Sequence, residues 1–219
     1  MKGRNLARTL AQKHLAEGDA LAWFEALYEA ARGEAAVIPW ADLRANRNVV
    51  EWLDGREIRP GLAALVVGCG LGDDAEELAR RGLGVTAFDI SRTAIEWCRR
   101  RFASSGVRYA VADLLEPPGE WEDRYELVVE SYTLQVLPEQ LRGRAMKSLA
   151  GFLADQGELL VVCRGREAED ARGEMPWPLT RGELRRMTEG AGLVERGFED
   201  YWDEEEAGVR RFRGVYARG

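Results

Sequence analysis

Residues 63–73 read AALVVGCGLGD, and no other stretch restricts the fold of this chain so strongly. The run Ala63–Val67 is wholly apolar and strand-length, as expected of a strand buried on both faces. It ends in Gly68, Gly70 and Gly72, with Cys69 filling the space between the first two. A helical pattern starts at once, with Ala75, Leu78 and Ala79 on one face. Strand, glycine turn, helix is the geometry that brings bare backbone and a helix N-terminus against a ligand. Taken alone, the stretch also suits a tight strand-to-helix turn in any α/β protein, so the remaining chain has to decide.

The chain has 219 residues, of which 46% are hydrophobic. That suits one core domain with an elaboration better than two independent domains. Residues 5–16 and 19–32 have helical spacing; His14 continues the apolar face of the first and reads as structural. After Pro39 and Trp40, Asn46 or Asn48 is placed to cap a short third helix carrying Val49, Val50, Trp52 and Leu53. These helices make no core alone. Residues 1–60 are therefore expected to form a helical cap on an α/β domain spanning 61–219, near the glycine turn.

From Leu62 the pattern alternates. Strands are expected at 63–67, 84–90, 107–113, 125–131 and 158–164, with helices at 73–82, 91–104 and 138–154. Thr180 and Glu183 form a capping box for a helix to about 190. Two late strands, near 193–199 and 209–217, enclose the acidic loop DEEEAG. This order predicts a doubly wound, seven-stranded, mostly parallel sheet closed by an antiparallel C-terminal hairpin.

Ligands of such sheets sit at the carboxyl ends of the strands. The first strand ends in the glycines. The second ends in Asp89 and Ile90, with Asp89 placed 19 residues after Gly70; a carboxylate there accepts both hydroxyls of a ribose. Capping of the next helix is the competing role for Asp89. The third ends in Asp113 and Leu114, an acid beside a backbone N–H, which suits the amino group and ring nitrogen of adenine. The fourth ends in Glu130, Ser131 and Tyr132. Together these describe a nucleoside pocket. A dinucleotide turn would read GxGxxG, whereas GCGLG is followed by Asp73 and Asp74. Two acids at a helix N-terminus repel a pyrophosphate and favour a cationic group, and the loop lacks a phosphate-binding lysine. An adenosine ligand with positive charge and no phosphate is S-adenosylmethionine.

The segments VVGCGLGDDAEELARRG, AFDIS, VADLL and LVVESYTLQVLP, in this order, resemble class I S-adenosylmethionine-dependent methyltransferases. The resemblance covers roughly residues 60–165. It implies that Gly68, Gly70 and Gly72 meet the methionine part of the cofactor, Asp89 the ribose and Asp113 the adenine. Many members carry an acid two residues before the first glycine. Here Val66 stands there, leaving the methionine ammonium to backbone carbonyls near Gly68 and to Glu130. The N-terminal WFEALYEAA and IPWADLRANRNVVEWL resemble the cap of the thiopurine and thiol methyltransferase branch, which implies that Tyr28 and Trp40 cover the cofactor. Core packing is the competing role for both. An aromatic face near a sulfonium is physically favourable.

Methyl transfer from a sulfonium is an in-line displacement whose donor is already activated, so the protein aligns the nucleophile and excludes water. The expected product is S-adenosylhomocysteine, and no metal is required. Gln135 occupies the region where many small-molecule members place a histidine. A readily ionised acceptor such as a thiol or thiopurine is therefore favoured, with Glu130, Tyr132 and Gln135 as the candidate base or positioning groups. Tyr132, Arg164 and Trp177 are the candidate acceptor-binding residues; a salt bridge is the competing role for Arg164 and loop anchoring for Trp177.

The net charge is −7, which argues against a general nucleic-acid or membrane-surface binder. No apolar run approaches the roughly 20 residues of a bilayer span. Three scattered cysteines and a start lacking an apolar signal core point to a reducing, cytoplasmic setting. The expectation is a monomer or weak homodimer acting on a small molecule. The alternatives are methylation of a protein or RNA, or a non-catalytic cofactor-binding role.

Overall fold

The computed structural model describes residues 2–219. Three helices, α1 (Lys2–Ala16), α2 (Ala22–Ala31) and α3 (Arg47–Asp54), precede β1 (Ala63–Val67). Then follow α4 (Asp73–Arg80), β2 (Gly84–Asp89), α5 (Arg92–Arg101), β3 (Arg108–Val111), β4 (Tyr125–Ser131) and α6 (Glu139–Gly151). The chain closes with β5 (Leu153–Gly165), α7 (Arg181–Gly190), β6 (Leu193–Trp202) and β7 (Arg210–Arg218). The strands form one sheet in the order β3-β2-β1-β4-β5-β7-β6. β1 to β5 run parallel, and β7 is antiparallel to both β5 and β6. Strand order reverses between β1 and β4, and there a doubly wound sheet opens a crevice at its carboxyl edge.

Each strand divides its side chains between two buried faces. Leu65, Val67, Phe88 and Val128 pack with Met146 and Leu149 of α6 and Leu184 of α7. Ala64, Val66, Ala87 and Val129 pack on the other face with Val49 and Trp52 of α3, Leu78 of α4 and Ile95 of α5. A third cluster joins Ala7, Trp23, Leu27, Tyr28 and Ile38 to Leu71 of the glycine turn, Ala94 of α5 and Met175. The N-terminal helices therefore complete their core on the rim of the crevice.

The capping chemistry follows the sequence. Asn46, not Asn48, caps α3, its side chain accepting from the Asn48 N–H. Thr180 and Glu183 form the full capping box of α7. The expected helix to residue 154 stops at Gly151, because Leu153 pairs with Tyr125 and so begins β5. The ladder then shifts register between Tyr125 and Leu127. A Cβ at Gly157 would lie 2.6 Å from the Tyr125 carbonyl oxygen, so the irregular backbone there leaves no room for a side chain.

Candidate active site

A cavity of about 470 Å³ lies at the carboxyl ends of β1, β2 and β4, in the volume range of small-molecule sites. Its floor is the glycine turn. Gly68 and Gly70 have φ of 58° and 54°, left-handed values that side chains disfavour. A Cβ on Gly68 would collide with Thr133 Oγ1, and one on Gly70 would stand 3.2 Å from the Tyr28 hydroxyl. The turn thus presents backbone to the cavity because nothing larger fits.

One end of the cavity has the groups expected for a nucleoside. Asp89 is 6% exposed and lines it together with Ile90, Asp113 and Leu114. The Asp89 carboxylate accepts from Gly70 N at 3.0 Å and from Ser91 N at 2.9 Å. Burial raises its pKa to about 6 against those bonds. Ser91, not Asp89, caps α5 by accepting from Ala94 N, so Asp89 is free of the competing role. Asp113 accepts from Leu115 N at 2.7 Å, which fixes its carboxylate at the rim. Above Gly70, Trp40 Nε1 donates to the Tyr28 hydroxyl at 2.9 Å, the rings meeting edge to face at 6.1 Å. Both residues line the cavity.

The β4–β5 end is polar and aromatic. Tyr132, with φ 68°, is a bulky residue in a strained conformation of the kind that gathers at functional sites. Its hydroxyl accepts from Asn48 at 3.0 Å, and the Arg211 guanidinium lies 4.6 Å over its ring. Gln135 Oε1 accepts from Arg164 N at 2.6 Å, tying β5 to the loop after β4. Tyr132, Gln135 and Arg164 all line the cavity.

Three expected site residues lie outside that lining. Gly72 turns away from it, and a Cβ there would lie 2.6 Å from the Tyr109 hydroxyl. Glu130 shares the face of Val128 by strand alternation, so it turns into the sheet–α6 core and is 0% exposed. Its Oε1 accepts from Thr133 N at 2.6 Å and Leu134 N at 2.9 Å, holding the loop that carries Tyr132 and Gln135. Its role here is to shape that loop. Trp177 donates its backbone N–H to the Gln135 carbonyl at 2.8 Å and lies under the Arg142 guanidinium. It anchors its loop, and Met175 and Pro176 form the wall in its place.

Burial raises the Glu130 pKa to about 7. A raised carboxyl pKa means that the folded state binds the proton more tightly. The contribution to stability is full below about pH 4.5 and is lost as pH rises through about 7. Glu130→Gln is thus expected to gain about 2–3 kcal/mol relative to the parent chain between pH 5 and pH 8. Urea unfolding at both values measures this; parallel pH profiles would refute it.

The largest surprise is the loop DEEEAG. The β6–β7 turn reaches back over the cavity mouth and meets arginines from three other parts of the chain. Glu206 pairs with Arg4 at 2.6 Å, with Arg164 at 2.7 Å and with Arg211 at 3.2 Å. Glu205 pairs with Arg44 at 2.9 Å, Glu204 with Arg47, and Asp203 with Arg211 at 2.6 Å. The competing salt-bridge role of Arg164 is therefore realised, although the residue also lines the cavity. The acidic run is legible as a hairpin loop; its place over the crevice follows only from the tertiary packing.

Among the described residues, no group of three or more His, Cys, Asp or Glu is placed to hold a metal ion. No helix among them is long and apolar enough to cross a membrane.

Residues 64–157 match the methyltransferase domain family. The chain is 28% identical over 131 residues to thiocyanate methyltransferase 1 of Brassica oleracea, covering 59% of this chain and 58% of that protein. It is 26% identical over 168 residues to probable thiol methyltransferase 2 of Arabidopsis thaliana, covering 76% and 71%. The match thus spans less than two thirds of the first relative's length. In structure it is similar to the 1,6-didemethyltoxoflavin-N1-methyltransferase of Burkholderia thailandensis, with a TM-score of 0.70 and 18% identity over 89% of this chain and 85% of that one. At that identity the likeness is one of fold. The glycine turn, the seven-stranded order, the methyltransferase-domain match over residues 64–157 and these relatives support a class I S-adenosylmethionine-dependent methyltransferase.

Proposed function

We propose that this chain transfers a methyl group from S-adenosylmethionine to a small-molecule acceptor, preferentially a thiol or thiopurine-like nucleophile, leaving S-adenosylhomocysteine. The observation that carries this reading is the single cavity that joins the glycine turn, Asp89 and Asp113 at one end to Tyr132 and Gln135 at the other. The cofactor fits these residues. The side-chain-free turn at Gly68 and Gly70 leaves backbone for the methionine part, Asp89 retains lone pairs for ribose hydroxyls, and Asp113 with Leu114 suits adenine. When bound, it supplies a methyl group already activated on a sulfonium.

The chain's own residues then bind, orient and exclude water. Tyr28 and Trp40, in a cap formed by residues 1–60, cover the cofactor side, and aromatic faces there favour a cation. Tyr132 and Gln135, on the loop held by Glu130, and Arg164 of β5 border the acceptor side. A nucleophile held in line needs little else, because alignment and desolvation supply most of the acceleration for a donor of this kind. The relatives named for thiol and thiocyanate support a sulfur acceptor.

An acceptor screen with methyl-labelled cofactor tests this, spanning alkyl thiols, aryl thiols, thiopurines, phenols, amines and halide ions. Transfer to a thiol or thiopurine is the expected result. Activity confined to amines or hydroxyls would overturn the sulfur preference, and activity confined to protein or RNA would overturn the small-molecule reading.

A further inference from the structure

Asp74 lines the acceptor end of the cavity. It follows Asp73 at the start of α4, yet the two acids have different surroundings. Asp73 is engaged by both terminal nitrogens of Arg101 at 2.8 Å. Among the described residues, no arginine or lysine lies within ion-pair distance of Asp74. Its Oδ1 accepts from Asn46 N at 2.6 Å, and the Ser131 hydroxyl, which accepts from Asn46 Nδ2 at 2.9 Å, lies beside its carboxylate. These partners come from the turn before α3 and the end of β4. They draw Asp74 toward the β4–β5 side of the glycine turn, away from Asp89 and Asp113.

The charge around the cavity points the same way. The lining contains three more carboxylates than arginines. Its arginines are already committed to the acidic turn after β6. A cationic cofactor suits such a cavity, and a free anion finds no unpaired cation there.

We propose that Asp74 is the group that takes the proton of the methyl acceptor, so that the acceptor enters as a neutral, proton-bearing nucleophile such as an alkyl thiol and not as a preformed anion. This rests on the methyl-transfer reading above. As the acceptor sulfur forms its bond to the methyl carbon, the sulfonium–methyl bond breaks and its electron pair stays on the cofactor sulfur. The thiol proton passes to the Asp74 carboxylate and from there to solvent. Asn46 and Ser131 are positioning residues that aim the carboxylate.

Burial raises the Asp74 pKa to about 6, with Asp73 and Glu77 of its own helix adding to the rise and the bonds from Asn46 and Ser131 opposing it. Tyr132 faces it from just beyond β4, with Arg211 stacked on that ring and Asp203 behind. Asp74 is therefore ionised at neutral pH yet more basic than an ordinary aspartate, as a general base should be. An alkyl thiol of pKa about 8.5 is only about 3% ionised at pH 7, so a base that serves the neutral form is worth up to about 30-fold.

The test compares kcat/KM at pH 7 for an alkyl thiol and for a nitro-substituted aryl thiol that is already ionised, with the full chain and saturating S-adenosylmethionine. In Asp74→Asn the alkyl-to-aryl ratio is expected to fall by about 30-fold, with partial recovery in Asp74→Glu. Ser131→Ala, which spares the carboxylate, is expected to lower the ratio severalfold, and it serves if the first variant folds poorly. Equal loss on both thiols, or a loss confined to S-adenosylmethionine affinity by calorimetry, would overturn the proposal and make Asp74 a counter-ion of the cofactor ammonium. A parent chain that binds cofactor but methylates no thiol would instead defeat the acceptor reading itself.

Discussion

Asp89→Ala is expected to weaken S-adenosylmethionine binding at least about tenfold, or about 1.4 kcal/mol, in titration calorimetry. Two losses combine. The ribose hydroxyls lose an ionised acceptor, and charge-assisted hydrogen bonds are worth about 1.5–3 kcal/mol each. The glycine turn also loses the anchor at Gly70 N, 3.0 Å from the carboxylate, so the backbone under the methionine part is less well placed. Stability should change less than affinity. Removing a carboxylate that burial disfavours offsets part of the cost of unpairing Gly70 N and Ser91 N. Asp89→Asn separates the two losses, since the amide oxygen still accepts one bond but carries no charge. An Asp89→Ala chain with unchanged affinity would sink the assignment of this end of the cavity.

Gly68→Ala should be strongly damaging. Its φ of 58° costs a non-glycine residue about 1–3 kcal/mol. The new methyl also runs into Thr133 Oγ1, with Cγ2 of the same residue 3.3 Å away, and overpacking of this sort costs about 1–3 kcal/mol more. The sum is about 2–6 kcal/mol in urea unfolding, with cofactor binding falling as well, because relief must come from moving either the glycine turn or the Tyr132–Gln135 loop. Thr133→Ala in the same chain removes the obstacle. It should restore the steric part while leaving the backbone part, so about half the stability returns. If the double variant is no more stable than Gly68→Ala alone, the contact with Thr133 is not the source of the damage.

Comparison of these sites with the sequence shows which signals are local. Asp89 and Asp113 are legible because parallel strands place their last residues along one edge, so ordinal position along the chain becomes position in space. Asn46 and Thr180 are legible as caps because capping is decided within four residues. Glu130 is misread by the same local reasoning. It ends a strand, as Asp89 does, but strand alternation turns it into the α6 face, where it serves the loop and not the ligand. The helix expected to residue 154 is cut short at Gly151 by pairing of Leu153 with Tyr125, a contact that periodicity within the helix does not contain.

The amino-acid sequence by itself determined the doubly wound sheet, the glycine turn and the two acids that line the cavity beside it. Each depends on patterns repeated over a few residues and on the order of the strands. Only the tertiary structure decided what closes the cavity and what faces the acceptor. The acidic turn after β6 reaches Arg4, Arg44 and Arg47 across more than 150 residues of chain, and Asp74 meets Ser131 only because β1 and β4 are neighbours. Such pairings arise from strand order and helix packing, and the glycine stretch, for all that it fixes, contains no residue that specifies them.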